Sequence, residues 1–404
     1  MTLPRTPTLL IACAVTGAAL AMGLRQSFGL FLAPMTGDLG WSSSGFALAI
    51  ALQVLLNGIF QPICGQLADR MGARPVIMGG ALLYAGGLVG MALSRDVLTF
   101  TFFAGLVMGA AVSAAGMPII SAALTRLLPE GVRSRAVGMA TAGSSFGQFL
   151  VVPLAQAGIS LAGWQGALLL MAGAALLMAP LALPMDDAGA RAARARAAGA
   201  EEPATEALRR AFASGSFWCL FAGFFVCGLH VSFLAVHLPG FVATCHLPAA
   251  VGAGAISLIG LFNVLGSLLS GEVSARWSRR GLLVAIYAAR GVLMTAFLLA
   301  EKTTATVLLF SAGMGLLWLS TVPPTMALCA RNFGTRWLAT IFGLVFLGHQ
   351  IGGFTGAFLG GLIFDRTGSY DLMWSICIAA AAFAALIHLP VRDPLPAGQP
   401  AASR

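Results

Sequence analysis

The sequence is short of charge. Of its 404 residues, only 9% are Asp, Glu, Lys or Arg, whereas 58% are hydrophobic. A soluble globular domain carries roughly 25% charged residues, so this composition excludes an ordinary soluble protein. Acidic residues are fewer than basic ones: the fourteen Asp and Glu residues, against 23 Lys and Arg, fall in polar breaks or at the ends of apolar segments. We therefore expect no carboxylate in the middle of any membrane span.

Metal-binding and catalytic motifs are also missing. The seven cysteines are scattered without a CxxC pair, which gives neither a disulfide framework nor a zinc site. The histidines lack HExxH spacing, and no Ser/His/Asp set or phosphate-binding loop occurs. We expect no metal, no cofactor and no enzymatic activity.

Long apolar segments dominate the chain. They are about 20 residues or longer and lack period-2 alternation, which favours membrane-spanning helices over a β-barrel. Reading the polar breaks predicts twelve spans, at residues 9–33, 44–68, 75–94, 97–127, 134–162, 164–184, 214–243, 249–272, 282–301, 303–330, 338–364 and 372–389.

The distribution of the basic residues indicates how the chain is oriented in the membrane. The net charge is +9, and with the N-terminus placed inside, the outer segments hold only Arg95, Lys302 and Arg366 while eighteen arginines lie inside. This positive-inside bias predicts that both termini are cytoplasmic. It also argues against nucleic-acid binding. The first apolar run continues past any signal-peptide cleavage site, so we expect an uncleaved first helix. The excess of arginine over lysine, with abundant alanine and glycine, suggests a GC-rich bacterial genome. We therefore expect a multi-pass protein of the bacterial inner membrane.

The chain repeats itself. Residues 185–213 break the hydrophobic pattern and predict a solvated cytoplasmic linker between a bundle at 1–184 and a second at 214–404. Matching residues recur at an offset of 205–206, which fits two bundles related by an axis along the membrane normal. The pairs are Gly65/Gly271, Arg70/Arg276, Arg74/Arg280, Pro118/Pro323, Gly138/Gly343, Gly147/Gly352 and Gly163/Gly368.

One stretch resembles a known family. "GQLADRMGAR", residues 65–74, fits the signature between helices 2 and 3 of the major facilitator superfamily, and "GEVSARWSRR" is a second copy with Ala275 in place of the Asp. The resemblance implies an all-α integral membrane fold of twelve transmembrane helices in two pseudo-symmetric six-helix bundles. It also implies a monomer that works by alternating access. The residues implied in gating are Gly65, Asp69, Arg70 and Arg74.

Within that superfamily the chain resembles the monocarboxylate porters and the bacterial oxalate/formate antiporters. The supporting stretches are "GLRQSFGLFLAPM", "LLPEGVRSRAVGMATAGSSFGQFLVVPL", "VHLPGFV" and "GHQIGGFTGAFLGGLIFDRTGSY". The resemblance implies secondary active transport of a small organic anion, above all a monocarboxylate. Protons or a counter-anion would be the co-substrate.

Two arginines lie within predicted spans. A cation near the middle of a bilayer costs about 3 kcal/mol on insertion scales, so chains keep it where it meets a partner, water or an anion. Arg25 falls where the animal monocarboxylate porters carry a helix 1 lysine, and a guanidinium can bind a carboxylate through two hydrogen bonds. The alternative is a structural cation satisfied by carbonyls or reaching the membrane surface. The resemblance implies that helix 9, which carries Arg290, is a peripheral support, so for Arg290 we favour the structural role.

Several neutral polar residues also lie within the spans. Such side chains either line a cavity or hold helices together, at about 0.6 kcal/mol each. His230 and His349 are the favoured cavity-lining histidines. The predicted substrate-binding residues are Arg25, His230, His349, Gln350, Asn263 and Gln148.

The coupling mechanism is left open by the sequence. Animal monocarboxylate porters carry an Asp and an Arg four residues apart in helix 8, where this chain has Asn263 and Ser267. A coupled proton would then be carried by a histidine or by the substrate. Anion exchange and facilitated passage are the alternatives. Proton-coupled drug efflux is the transporter alternative, but exporters of cationic drugs usually need a membrane-embedded acid. A membrane sensor or an enzyme is a third, disfavoured class.

Overall fold

A computed structural model describes residues 7–187, 204–334 and 337–393, and these residues form helices and connecting turns without a β-strand. Residues 188–203 of the predicted linker lie outside the described residues, as does the side chain of Asp69. On the described side of that gap, Ala204–Phe212 forms a short helix that leads into the second half.

Ten apolar stretches are long enough to cross a membrane, one of them holds two helices, and Asp371–Ile387 adds a shorter one. This gives the predicted twelve helices. Their bounds are α1 Pro7–Leu39, α2 Ser43–Met71, α3 Ala73–Leu93, α4 Val97–Leu127, α5 130–162, α6 164–176, α7 Gly215–Thr244, α8 Ala249–Arg276, α9 Arg279–Leu299, α10 Thr304–Phe333, α11 Leu338–Thr367 and α12 Asp371–Ile387.

Three of the helix breaks follow from glycine and proline. Gly163 separates α5 from α6 because it adopts φ 69° and ψ 173°, a conformation that non-glycine residues avoid. Gly116, two residues before Pro118, interrupts α4 with an extended backbone. In α10 the helix stops at Leu317 and resumes at Val322, ahead of two prolines. Pro153 lies inside α5 without a break.

Successive helices run in opposite directions, so the bundle has two ends. We call the end that carries Pro7, the linker and the end of α12 the linker end, and the opposite one the far end. An aspartate clamps the linker end of each half. Asp187 accepts a hydrogen bond from the Ala73 N–H at the start of α3 (3.1 Å) and another from Arg126. Asp393 does the same for the Arg279 N–H at the start of α9 (2.8 Å). These contacts hold the helix ends of each half together at the linker end.

Glycines bring the helices of each half into close contact. A Cβ placed on Gly147 of α5 would overlap the carbonyl oxygen of Ala19 in α1, and one on Gly352 of α11 would overlap that of Phe225 in α7. The two contacts are related by the 205–206 repeat. The glycine-rich faces of α5 and α11 therefore serve packing inside each bundle.

Candidate functional site

The contact between the bundles follows α2 with α11 and α5 with α8. On the first side, the Gln350 amide donates to Oδ1 of Asn57 (3.0 Å) and to the carbonyl of Val54 (2.7 Å). The Asn57 amide donates to the hydroxyl of Ser113 in α4 (3.0 Å). Asn57 therefore links its own bundle to the other through a buried bridge of neutral groups.

The second side is built in the same way around Asn263. Its amide donates to the hydroxyl of Ser145 in α5 (3.0 Å). Its Oδ1 accepts from the backbone N–H of Leu319 in the broken part of α10 (3.1 Å) and from Ser267 (3.2 Å). The sequence predicted Asn263 as a substrate-binding residue, and the structure places its amide group against Ser145 of the opposite bundle.

The two bridges are copies of each other. Asn57 and Asn263 are 206 positions apart, and Ser145 and Gln350 are 205 positions apart. Each asparagine therefore reaches across to the same position of the other half. A net hydrogen bond contributes about 1 kcal/mol, so such a bridge holds the bundles together yet breaks readily. These neutral contacts suit an interface that opens and closes.

A third crossing involves Gln148. Its amide donates to the carbonyl of Ile256 in α8 (2.8 Å), and its Oε1 accepts from Gln26 of α1 (3.2 Å). Gln26 was missed by the sequence analysis, which singled out its neighbour Arg25. Nothing in the pattern of an apolar helix distinguishes the side that Gln26 faces.

At the far end a carboxylate joins the bundles. Asp365, in the last turn of α11, accepts from the backbone N–H groups of Ser43 (2.9 Å) and Ser44 (2.7 Å), the first two residues of α2. Backbone N–H groups at a helix N-terminus lack partners within the helix, and the helix dipole favours an anion there. We call this contact the far-end latch.

Close backbone packing accompanies the latch. Gly29 of α1 lies against the carbonyl groups of Ala235 and Val236 in α7, and Gly361 of α11 lies against the start of α2 near Ala47. Side chains at these glycines would leave no room for the partner backbone. The far end is therefore closed.

At the linker end the same helices stand apart. Gly65 in α2, Gly138 in α5, Gly271 in α8 and Gly343 in α11 are repeat partners, and a Cβ on any of them would meet nothing within 4 Å. Between described residues, the inter-bundle hydrogen bonds lie from the two asparagine bridges towards the far end. In the described part of the chain, the bundles are thus in close contact at the far end, whereas these four glycines of the linker end face empty space.

Arg25 lies on α1 just below the closed region. Its side chain is partly exposed, and it makes no hydrogen bond or ion pair with the described residues. It faces towards Tyr84 of α3, whose hydroxyl donates to the Ala21 carbonyl one turn earlier in α1 (3.2 Å). The guanidinium therefore has a partly accessible position without a protein counter-ion in the described part of the chain.

Arg290 has the opposite surroundings. It is fully buried in the second bundle and donates to the carbonyls of Leu317 (2.6 Å) and Trp318 (2.5 Å) in the break of α10. Its guanidinium also lies over the Tyr287 ring, 5.3 Å from the centroid. This position agrees with the structural role that the sequence favoured.

The histidines divide between the bundle interior and the interface. His230 and His237 are fully buried in α7, and their Nε2 atoms bond the carbonyls of Cys377 (2.9 Å) and Ala357 (2.7 Å). His349 contacts Gln350 through Nδ1 (3.1 Å) and so adjoins the first asparagine bridge. His349, rather than His230, therefore lies beside the contact between the bundles.

The predicted gating residues lie at the open end. Arg74 forms an ion pair with Asp186 at 3.7 Å, next to the Asp187 clamp, so it contacts the end of its own bundle. Gly65 faces open space. Arg70 also interacts with other residues. The gating role of Gly65, Asp69, Arg70 and Arg74 stays a prediction.

The comparisons with known proteins agree with this architecture. A family model described as Major Facilitator Superfamily matches residues 14–357. The chain belongs to the major facilitator superfamily. It is thus a multi-pass membrane transporter of that superfamily.

Two curated relatives match nearly the whole of this superfamily member. An uncharacterized MFS-type transporter of Bacillus subtilis is 23% identical over 380 residues and covers 90% of each chain. Monocarboxylate transporter 11 of Mus musculus is 27% identical over 399 residues, which cover 95% of this chain and 87% of the relative.

A solved structure shares the fold. The crystal structure of a D-xylose-proton symporter matches with a TM-score of 0.78 at 14% identity, covering 96% of this chain and 98% of the symporter. At this identity the likeness extends to the two-bundle fold of the superfamily.

Proposed function

We propose that this transporter moves a small organic anion, in the first place a monocarboxylate, across the bacterial inner membrane by alternating access. The observation that carries the proposal is the contrast between the two intramembrane arginines. Arg290 is fully buried and hydrogen-bonded to carbonyls, whereas Arg25 is partly exposed and has no partner among the described residues. A carboxylate would supply the missing partner through charge-assisted hydrogen bonds.

The resemblance to monocarboxylate transporters supports the same substrate class. The relative from Mus musculus carries that name at 27% identity over most of its length. In the proposed binding mode, the carboxylate contacts Arg25 and the remainder of the substrate lies among neutral groups. Those groups are the predicted residues near the interface: His349, Gln350, Asn263 and Gln148.

The distribution of arginines supports an orientation. With the linker end in the cytoplasm, the basic residues follow the positive-inside rule. The open linker end then makes this structure an inward-facing state, and the far-end latch closes the route to the outside. In the outward-facing state the two asparagine bridges and the latch would separate, while Asp69, Arg70 and Arg74 would come together with the opposite bundle. The domain units proposed for this motion are residues 1–184 and 214–404.

The co-substrate is either a proton or a counter-anion. The described part of the membrane interior holds no carboxylate that could carry a proton, since Asp365 and the other described acids lie at helix ends or in turns. His349 is the titratable side chain beside the inter-bundle contact. Proton coupling would therefore depend on this histidine or on the substrate itself, and anion exchange would need neither.

The test is a thermal-shift screen of the purified protein against small mono- and dicarboxylates. A ligand at a hundred times its Kd raises the free energy of unfolding by about 2.7 kcal/mol when it binds only the folded state. We expect one carboxylate class to stabilise the wild type and the Arg25→Lys variant but not Arg25→Ala. Lysine keeps the charge but loses the two-pronged geometry, so its response should be weaker.

The control is Arg95→Ala, which removes an exposed arginine from a far-end turn and should leave the response unchanged. If carboxylates stabilise Arg25→Ala as strongly as the wild type, the anion binds elsewhere. A response to amphipathic cations or neutral drugs alone would overturn the substrate class and favour efflux.

A further inference from the structure

The break in α10 is held from two sides. Between Leu317 and Val322 the chain leaves the helix because Pro323 and Pro324 cannot donate to the carbonyls one turn earlier. Carbonyl groups released in a membrane interior need other donors, since no water is available to them in the bilayer core. The segment Trp318–Thr321 therefore depends on its neighbours for its position.

Arg290 supplies the donors on one side. Its Nη2 bonds the carbonyls of Leu317 and Trp318, and it lies 3.6 Å from Sγ of Cys227 in α7. That sulfur is 3.2 Å from the hydroxyl of Thr321 at the other end of the break. The arginine and the cysteine thus fix both ends of the segment against α7 and α9.

Helix α8 holds the other side of the segment. Ser270 donates to the carbonyl of Ser320, and the N–H of Leu319 donates to Oδ1 of Asn263 (3.1 Å). Because Oδ1 of Asn263 is occupied in this way, its amide group points to Ser145 of the opposite bundle (3.0 Å). The orientation of the second asparagine bridge therefore depends on the position of the Leu319 N–H.

In the first half, the interface asparagine is held in place without a cation. Tyr84 stands at the repeat position of Arg290, 206 residues earlier, and its hydroxyl bonds α1 rather than α4. There Asn57 is held by the Ser113 side chain, which also donates to the carbonyl of Gly109 within intact helix (2.8 Å). The Ser113 hydroxyl is held in place by its own intact helix. The Leu319 N–H lies in a helix break, so its position depends on contacts from other helices.

We infer that Arg290 is a positioning residue: through the broken segment of α10 it sets the Asn263–Ser145 bridge, and so the contact between the bundles that opens during transport. The part of this inference that concerns transport rests on the proposed alternating-access function. The positioning of the bridge by Arg290 does not. It explains why a peripheral helix retains a fully buried guanidinium whose Nε and Nη1 have no partner among the described residues. To the described residues, its hydrogen bonds are made by Nη2.

Hydrogen–deuterium exchange of Arg290→Met and Arg290→Lys tests this directly. Methionine fills the space without donating, so we expect exchange of the peptide covering residues 317–322 to rise about tenfold or more. The equivalent region around Gly116 should not change. Arg280→Met is the matched control, since Arg280 lies on the same helix and, among the described residues, its side chain bonds only the Leu389 carbonyl, at 3.2 Å. Lysine keeps one donor and should restore part of the protection.

A double variant separates positioning from general stabilisation. If Arg290 acts through Asn263, exchange of the α5 peptide around Ser145 and the transport rate of Arg290→Lys with Asn263→Ala should equal those of Asn263→Ala alone. Additive losses would overturn the inference, and so would an unchanged 317–322 peptide in folded Arg290→Met. If Arg290→Met fails to fold, the lysine variant and the double variant decide. Exchange needs no substrate, so absence of carboxylate transport would contradict the proposed function and leave this result intact.

Discussion

Asp365→Asn should shift the protein from the far-end-closed state towards the far-end-open state. The substitution removes the negative charge that two backbone N–H groups at the start of α2 share. Hydrogen bonds to a charged group contribute about 1.5–3 kcal/mol, and because this latch is exposed we take the lower value, which is roughly a tenfold change in the equilibrium. Hydrogen–deuterium exchange at both ends measures the shift.

The expected pattern is reciprocal. Peptides at the far end, covering residues 28–39 and 43–50, should exchange faster, while linker-end peptides around Gly65 and Gly343 should gain protection as that end closes. Asp371→Asn is the matched control, because Asp371 is an exposed far-end acid on the neighbouring helix and lies outside the latch. Faster exchange at residues 43–50 alone would mean that Asp365 only caps α2 and does not affect the equilibrium between the far-end-closed and far-end-open states.

Gly352→Leu should prevent most of the protein from folding, whereas Gly343→Leu should fold normally. Both positions lie on α11, but a side chain at Gly352 overlaps the carbonyl of Phe225 and one at Gly343 meets open space. Overpacking of a tight contact costs about 3 kcal/mol or more when backbones must separate. The folded yield in detergent, measured by size-exclusion chromatography and thermal unfolding, should differ about tenfold between the two variants.

Equal yields would show that α7 and α11 are not packed as described. Gly147→Leu offers an independent check in the first half, where the repeat-related contact is with Ala19. It should resemble Gly352→Leu, and Gly138→Leu should resemble Gly343→Leu.

The number of helices and their repeat could be predicted because both depend on local pattern. Apolar length marks each span, and the break at Gly163 was visible as a glycine between two apolar runs. The end of α1 was not predicted. Its apolar run stops near residue 33, but a short 3₁₀ segment, Phe28–Phe31, redirects the chain and the helix continues to Leu39.

The polar pairs could not be predicted with the same success. A membrane helix that is apolar all round gives no sign of which side faces the other bundle, so the charge of Arg25 drew the prediction and its neighbour Gln26 did not. The structure bonds Gln26 to Gln148 of its own bundle, and Gln148 in turn donates to the Ile256 carbonyl of the opposite bundle. Arg25 instead lies near Tyr84. Only the three-dimensional packing determines this rotation.

The repeat also relates equivalent contacts in the two halves. Asp187 and Asp393 are 206 positions apart and clamp the two halves in the same way, as do Asn57 and Asn263 at the interface. The same offset of 205–206 makes His230 the repeat partner of Arg25 and Arg290 the repeat partner of Tyr84. The two intramembrane cations thus lie at exchanged positions of one repeated site.

Counterflow in proteoliposomes tests the central proposal most directly. Vesicles loaded with an unlabelled carboxylate chosen from the thermal-shift screen receive a trace of the labelled compound, and accumulation needs no assumption about the coupling ion. We predict transient accumulation with the wild type, its loss with Arg25→Ala, and its retention with Arg95→Ala. Accumulation that persists in Arg25→Ala, or occurs only with cationic or neutral compounds, would contradict the account.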